Sequence, residues 1–465
     1  MKSAESRGRT VQWLARRPAL FSSLLAGAAL LACAFVTAGL VVAGCGSSPS
    51  ESSSTEQRVQ LVYQDWRTEW FPPMAQKELT IFQTEHPSLS VFYTPDPENL
   101  ADQMPLDMQV GNAADVFQGC CEFFPAWNEK GYVLDLREYV ETDLDPAIVA
   151  DWDPAQYEAF FDASGRQFGV PKYQGTLVLY YNKDIFDEYG VTYPDASWTH
   201  DDYLAAMKKL TRDTDSDGNT DIWGSMIDIG WDRLQVHINA WGGHVVDPND
   251  PTKCVIDSPE ALAALEWVRA RMWDDKVMAT FTDVNNVGTQ AAFYGGKLAM
   301  VEDGSWALKN ILENADFRIG VAPLPTGPAK RVTLSTTDGF GIYSQTRHPQ
   351  ESWELVKFLV SKEYGLAMAE ANLLQPARLS LVPDWQRFVR EQYPEKAKDI
   401  DLDVFAAAHS EGYSVVQEVF PSNMDEATGL LREAFTEIFT LGQAPVDILH
   451  DVSRQIEAAQ TNAGR

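Results

Sequence analysis

The sequence predicts an α/β fold in which helices cover a mostly parallel sheet. The alternating apolar residues of "RVQLVYQDW" are typical of a strand, and a helix-like stretch over residues 69–86 leads to a second strand, "SLSVFYT". A polar helix near residues 99–110 and the strand "ADVFQ" repeat this order. Because strand, helix and strand in succession form a parallel pair with the helix on one face, the alternation indicates a parallel sheet.

Two later segments are predicted to be helices that contribute to the core. Ser258 can cap a helix that starts at Pro259, and its apolar side chains share one face: Leu262, Leu265, Val268 and Met272. A second apolar stripe near the carboxyl end is closed by Gly442 and consists of Leu430, Leu431, Ala434, Phe435, Ile438 and Phe439.

Length and charge limit the class of protein. A chain of 465 residues suits two domains of ordinary size beyond its amino-terminal region. The net charge of −30 at pH 7 argues against nucleic acid or anionic lipid as the partner, and it favours solubility at a crowded cell surface. We therefore expect no nucleic acid partner.

Residues 1–44 are interpreted as a signal peptide. An uncharged run over residues 18–44 follows the arginines Arg7, Arg9, Arg16 and Arg17. Such a run could also span a bilayer as an uncleaved helix. However, "VVAGC" resembles a bacterial lipobox, in which the thiol of Cys45 takes the lipid. The Ser-rich residues 45–57 are typical of a flexible tether. The prediction is a lipid-anchored protein on the extracellular face of the bacterial cell membrane, where disulfides can persist.

Several stretches are similar, in order, to one known family. They are "IFQTEHPSLSV", "ADVFQ", "GVPKYQGTLVLYYNKDIFDEYGV", "SWTHDDYLAAMKKLT", "DSPEALAALEWV", "GGKLAMVEDGSWAL", and "VAPLPTGP" through "DGFGIYS". Together they resemble the extracellular solute-binding proteins of sugar ABC transporters, the family that includes maltose-binding protein. The resemblance runs from about Val59 to Arg378.

The resemblance implies a two-lobed, periplasmic-binding-protein-like α/β fold with a ligand cleft between the lobes. It places the first crossing at "VPKYQG" and the return near "VEDGSW". The first lobe is then expected over residues 58–172 and 304–360, and the second over 173–303 and 361–460. The implied function is capture of a sugar or oligosaccharide by hinge closure and delivery to an ABC permease, with the chain acting as a monomer.

Residues at strand ends are predicted to form the cleft, because ligands of open α/β sheets bind beyond the carboxyl ends of strands. Asp65 and Trp66 follow the first strand, and Gln118, Cys120, Cys121 and Glu122 follow "ADVF". Sugars present apolar C–H faces and a ring of hydroxyls, which call for aromatic platforms together with carboxylates, amides and guanidinium groups.

Further candidates come from aromatic residues at element ends and from the family resemblance. Trp231 and Trp241 lie beside turn-forming or polar residues, whereas Trp267 and Trp353 fall within amphipathic helices and are interpreted as core. The resemblance adds Tyr173 in the first crossing, Asp303 and Trp306 in "EDGSWAL", Asp338 and Gly339 in "TTDGFG", and Arg378 in "LLQPARLS".

Catalysis is not expected. The sequence lacks the G-x-S-x-G, H-E-x-x-H, Walker and dinucleotide glycine motifs, and its seven histidines have no metal-ligand spacing. A secreted glycoside hydrolase is one alternative, because many pairs of carboxylates are present. A binding protein for a non-sugar solute is the other.

An acidic segment, "DTDSDGNTDIWG", resembles a calcium loop. Asp213, Asp215 and Asp217 take positions 1, 3 and 5, followed by Asn219 and Asp221. Gly224 stands where the loop requires a bidentate glutamate, so a solvated turn is the alternative. No cofactor is otherwise expected, and calcium would have a structural role.

Cys120 and Cys121 are adjacent in a chain with only five cysteines. Our hypothesis is a vicinal disulfide that lines the cleft and leaves Cys254 free. Neighbouring Cα atoms lie about 3.8 Å apart, below the ~4.4 Å usual for disulfides, so such a ring is strained. Two reduced or buried thiols are the main alternative, and a metal site is the lesser one.

Overall fold

The computed structural model describes residues 58–121 and 123–463. The predicted signal peptide, tether and Cys45 lie outside the described residues, as does Glu122. The strands are β1 (Val59–Asp65), β2 (Leu89–Pro95), β3 (Val116–Gly119), β4 (Val170–Pro171), β5 (Leu177–Asn182), β6 (Val246–Asp247), β7 (Asp250–Cys254), β8 (Met300–Gly304), β9 (Ile319–Ala322), β10 (Thr333–Leu334), β11 (Gly339–Ile342) and β12 (Ser414–Val415).

Helices separate most of these strands. They are α1 (Phe71–Glu85), α2 (Leu100–Gln109), α3 (Phe123–Glu129), α4 (Arg137–Asp143), α5 (Pro146–Val149), α6 (Pro154–Glu158), α7 (Lys183–Glu188), α8 (His200–Leu210), α9 (Trp231–Ala240), α10 (Pro259–Trp273), α11 (Thr289–Tyr294), α12 (Leu308–Asn314), α13 (Pro349–Leu359), α14 (Lys362–Asn372), α15 (Val382–Gln392), α16 (Pro394–Ala397), α17 (Val404–Ser410), α18 (Met424–Phe435) and α19 (Leu449–Ala463). None of these helices has the length and apolar character needed to cross a bilayer.

The first lobe is built on a five-stranded sheet of order β2-β1-β3-β11-β4. β1 pairs in parallel with β2 and β3, whereas β11 runs antiparallel to β3 and β4. Buried side chains of β1, β3 and β11 pack against α1, α13 and α14. The predicted parallel strands and the predicted helices at 69–86 and 99–110 are confirmed here.

The second lobe contains a three-stranded sheet of order β8-β5-β9, in which β5 is antiparallel to both neighbours. The prediction of a mostly parallel sheet in each lobe is therefore wrong for this sheet. The reason is that β5 is inserted between the two strands of the β8–α12–β9 unit. Side chains of β5 alternate between two cores: Leu177, Leu179 and Tyr181 enter one, and Val178 and Tyr180 enter the other.

The predicted lobe boundaries at residues 304 and 361 also need correction. β9 pairs with β5, so the chain remains in the second lobe until about residue 322. Tyr364 and Met368 of α14 pack in the core of the first sheet, so the first lobe extends through this helix. Val382 and Trp385 then pack in a core of the second lobe.

Three segments cross between the lobes side by side. The first, around Tyr173–Thr176, pairs with the second at Ser335 and with the third at Pro376. The backbone N–H of Gln174 donates to the carbonyl of Gln375 at 2.9 Å. These three paired segments connect the two lobes.

Candidate functional site

A cavity of about 360 Å³ lies where the two lobes meet the crossing segments. Both lobes and all three crossings contribute to its wall, which consists of Trp66, Thr68, Trp70, Cys121, Tyr173, Asp232, Arg233, Trp306, Thr336, Asp338, Asn372 and Leu374. The predicted cleft residues Trp66, Cys121, Tyr173, Trp306 and Asp338 are thus brought together.

Trp66 forms the aromatic part of the first-lobe wall. It follows β1 directly, and its ring stands at steep angles to the rings of Trp70, Phe71 and Tyr173, with centroids 5.4–6.0 Å away. The ammonium of Lys172 lies 3.2 Å from the centroid of the same indole. The half-buried ring is therefore held among partners at the cavity edge.

Asp65 does not face the cavity, in contrast to its prediction as a ligand contact. Its carboxylate is fully buried, forms an ion pair with Lys172, and accepts hydrogen bonds from the Tyr63 hydroxyl and, at 2.6 Å, from the Trp66 N–H. These three partners leave Asp65 supporting the wall from behind.

Gln118 is also buried behind the wall. Its amide donates to Asp96 at 2.8 Å. Burial raises the pKa of Asp96 to about 6, with the nearby Asp65 carboxylate adding to the shift. The structure therefore does not place Gln118 in the cavity wall, because a carboxylate within the same lobe accepts a hydrogen bond from its amide N–H.

Cys120 and Cys121 are present as two thiols, with the Cys121 side chain hydrogen-bonded to that of Cys120. The structure therefore does not contain the vicinal disulfide of our hypothesis. Cys121 lines the cavity and has a left-handed backbone, with φ of 53°. Cys254 is buried in a core of the second lobe.

Trp306 forms the aromatic part of the second-lobe wall, in a short turn after β8. A Cβ at Gly304 would lie 2.1 Å from its ring and one at Gly175 2.9 Å, so both glycines are needed for the ring to lie here. The guanidinium of Arg233 lies 4.8 Å from the ring centroid and forms an ion pair with Asp232. In each lobe a cationic side chain therefore lies close to the indole ring, Lys172 at Trp66 and Arg233 at Trp306.

Asp338 places a buried carboxylate in the cavity wall. Burial raises its pKa to about 6, while the ammonium of Lys172 opposes the shift. Gly339 beside it has a packing role, because a Cβ there would lie 2.4 Å from the ring of Phe160. Gly339, a candidate ligand contact by the resemblance, is not among the cavity-lining residues.

Asp303 is buried at the end of β8 and is not among the cavity-lining residues. Its carboxylate accepts the N–H of Gly304 at 2.7 Å. Burial raises the pKa of this carboxyl. Asp303 was predicted to contact a ligand, but the structure does not place it in the cavity wall.

A second cavity, of about 260 Å³, shares Asp232 with the first. Trp231 lies in its wall, and α18 contributes Thr428 and Arg432. The indole N–H of Trp231 and the hydroxyl of Thr428 are buried without a hydrogen-bond partner in the described part of the chain. Buried polar groups of this kind are normally satisfied by a protein group or an ordered water.

Two predicted ligand contacts lie away from both cavities. Trp241 packs on His200 and Trp267, with centroids 4.6 and 5.7 Å away. Arg378 forms an ion pair with Asp151 at 2.9 Å. The structure therefore does not bring these two side chains to the candidate site, because they pack on or pair with partners within the protein.

Only part of the predicted calcium loop comes together. Carboxylate oxygens of Asp213, Asp215 and Asp221 lie within 4.8 Å of one another, and all three residues are exposed. Asn219 instead donates to Asp217 at 2.9 Å. A Cβ at Gly224 would lie 2.5 Å from the backbone of Met207, so a glutamate does not fit at position 12.

Lys172, Asp232 and Arg233 were missed from the sequence. Lys172 lies within "VPKYQG", where the family resemblance indicates only a crossing between the lobes. Asp232 and Arg233 follow Trp231 at the start of α9, and this position at a helix end was the available signal.

A family model described as bacterial extracellular solute-binding protein matches residues 64–366. A maltooligosaccharide ABC transporter solute-binding lipoprotein of Streptococcus pneumoniae is 24% identical over 344 residues, which are 70% of this chain and 74% of that protein.

Solved structures share the fold. The ABC substrate-binding protein Lmo0181 of Listeria monocytogenes, in complex with cycloalternan, has a TM-score of 0.75 at 22% identity and covers 86% of this chain and 98% of its own. UgpB of Mycobacterium tuberculosis, in complex with glycerophosphocholine, has a TM-score of 0.70 at 16% identity and covers 87% and 98%. At these identities the likeness establishes the two-lobed fold.

Proposed function

The chain belongs to the bacterial extracellular solute-binding protein family, and on that premise we propose that it captures a sugar or oligosaccharide for an ABC importer. The observation that carries the proposal is the pair Trp66 and Trp306, one from each lobe, in one cavity with Asp232, Arg233 and Asp338. Indole faces suit the apolar faces of sugar rings, and the charged groups suit their hydroxyls.

The adjoining cavity supports an oligosaccharide over a single sugar. Asp232 lines both cavities, and the second has the polar side chains of Trp231, Thr428 and Arg432 in its wall. A ligand of two or more rings would fill both. The pneumococcal relative, named for maltooligosaccharide, agrees with this choice of class.

Ligand capture is proposed to proceed by hinge closure without chemistry on the ligand. A molecule that contacts both lobes has differential affinity for the arrangement that brings the lobes together, and only such a difference shifts the population. The protein would then deliver its ligand to the permease subunits of the importer.

A melting-temperature panel tests the ligand class. Maltotriose, raffinose and glycerophosphocholine would each be added to the purified protein, because a bound ligand raises stability by mass action. We expect an oligosaccharide to raise the melting temperature more than glycerophosphocholine does. In calorimetry, Trp306→Ala should weaken its binding by on the order of 1 to 3 kcal/mol through loss of a stacking face.

The controls separate the alternatives. Trp241→Phe, at a tryptophan outside both cavities, should leave affinity unchanged. A rise in melting temperature with glycerophosphocholine alone would indicate that the ligand is a solute other than a sugar. New reducing ends during incubation with the oligosaccharide would instead show a hydrolase.

We further propose that Cys45 carries a lipid that holds the protein at the membrane. The support is the "VVAGC" stretch followed by a Ser-rich tether, together with a relative named as a lipoprotein. Cys45→Ala should release the protein or stall its processing, which fractionation and mass spectrometry would detect. Unchanged membrane retention of a signal-cleaved variant would contradict lipidation.

A further inference from the structure

Lys172 is a fully buried cation beneath the first-lobe wall. Its side chain is 0% exposed, and so is that of its ion-pair partner Asp65. The ammonium lies 3.2 Å from the centroid of the Trp66 indole, and 4.8 and 5.6 Å from those of Phe71 and Phe340. Because it is enclosed, Lys172 cannot touch a ligand in the cavity.

The indole above it is the group that a ligand would meet. Trp66 lines the cavity, and the rings of Trp70, Phe71 and Tyr173 meet it at angles of 61–75°. These neighbours restrict the ring plane, and the ammonium covers one of the two ring faces. Stacking of a ligand would use the face away from Lys172.

Stability alone is a weak reason for a charge at this place. Burial lowers the pKa of Lys172, which the Asp65 carboxylate opposes. Buried ion pairs commonly contribute no more stability than apolar residues of the same volume. A methionine with an uncharged partner would fill the same space, so the cation has to be explained by what it contacts.

We propose that Lys172 is a positioning residue for ligand recognition, whose ammonium holds the Trp66 indole so that a single ring face is presented to the cavity. A desolvated cation over an aromatic face is attracted by the ring quadrupole, and tryptophan is the strongest such partner. The inference rests on the proposed function in one respect, namely that the ligand stacks on Trp66.

The first crossing segment links this role to the hinge. The backbone N–H of Lys172 donates to the carbonyl of Asp338 at 3.0 Å, and the next residue, Tyr173, packs on Trp66. Two successive residues of a crossing segment therefore orient the aromatic platform of the first lobe.

The test compares Asp65→Asn/Lys172→Met with the matched control Asp65→Asn, which keeps the cation over the ring because the carboxylates of Asp338 and Asp96 still favour the charged ammonium. Lys172→Met alone is avoided, because it would leave a buried carboxylate without a counter-ion. If the double variant does not fold, Asp65→Asn/Lys172→Gln replaces it, since two amides can hydrogen-bond to each other.

Fluorine NMR of the ligand-free protein labelled with 5-fluorotryptophan reports on the ring, and the Trp66 resonance is assigned from its loss in Trp66→Phe. We expect one sharp line in the wild type and in Asp65→Asn, and a shifted, broadened line in the double variant. Maltotriose affinity should fall about tenfold in the double variant, as for a desolvated cation–π contact, and stay within about twofold in the control.

The outcomes are distinct. An unchanged Trp66 line in a folded double variant overturns the positioning role, and so does a changed line with unchanged affinity. If maltotriose does not bind the wild type, the choice of ligand fails under the proposed function, whereas the fluorine line still decides whether Lys172 orients the ring.

Discussion

Among single residues, Asp338 carries the clearest pH dependence. Its carboxyl lines the cavity, and burial raises its pKa to about 6. The folded state therefore binds this proton more tightly than the unfolded chain, so protonation of Asp338 stabilises the fold as pH falls through 6. A ligand hydroxyl that donates to the carboxylate favours the opposite, ionised form.

We therefore expect ligand affinity to fall as pH drops through about 6. Calorimetry with the oligosaccharide identified by the melting panel, above and below that pH, would measure it. Asp338→Asn should bind more weakly above pH 6 and lose most of the dependence. Asp96→Asn is the control, because Asp96 has a similar pKa but lies outside the cavity lining. If ligand affinity depends on pH equally in the wild type and in Asp338→Asn, Asp338 is not the group that causes the dependence.

Position along the chain indicated Trp66, which directly follows β1, and the family resemblance indicated Trp306, which follows β8; the structure brings both to the cavity wall. Asp65 and Arg378 were misassigned because their ion-pair partners, Lys172 and Asp151, are 107 and 227 residues away. A pairing over such distances leaves no local pattern.

At the scale of elements, the acidic loop after α8 makes a separate prediction. Three exposed carboxylates converge in it, and such groups repel one another unless a cation lies between them. We expect calcium to raise the melting temperature and a chelator to lower it. Asp215→Ala should remove this sensitivity.

Asp217→Ala is the matched control, because Asp217 lies outside the converging set and is held by Asn219. It should keep a response to calcium. If the wild type melts at the same temperature with chelator and with calcium, the loop is a solvated turn.

Elements with local signals were predicted well. The helix α10 starts as expected, with the Ser258 hydroxyl accepting the N–H of Ala261 at 3.4 Å. The apolar run of β5 lies within a stretch that carries the family resemblance, but nothing in the run indicates the direction of the strand. A strand's direction depends on which distant strands flank it, here β8 and β9, and the run itself contains no sign of this.

At the scale of the whole molecule, a seam joins the lobes beside the cavities. The end of α3 meets the start of α18: the Asn423 N–H donates to Glu129 at 2.9 Å, and Lys130 forms an ion pair with Asp425. Each helix also leads to the ligand site, because α3 begins just after Cys121 and α18 contributes Thr428.

We expect Lys130→Met to weaken ligand binding about two- to threefold, because exposed ion pairs contribute at most about 1 kcal/mol. The loss should shrink at high ionic strength. Lys398→Met removes an exposed pair with Glu395 outside the seam and serves as the control. Equal affinities for the two variants in calorimetry would show that the seam does not affect closure.

The order of strands in the first sheet has a consequence for secretion. β4 joins β3 only through β11, which lies about 170 residues later in the chain. A chain that crosses a membrane amino end first cannot complete this sheet until residue 342 has emerged. Pairings of such long range are slow to form, so the translocating chain leaves the β11-facing edge of β3 unpaired while residues 120–342 follow. Chaperones and surface proteases would compete for the chain during that interval.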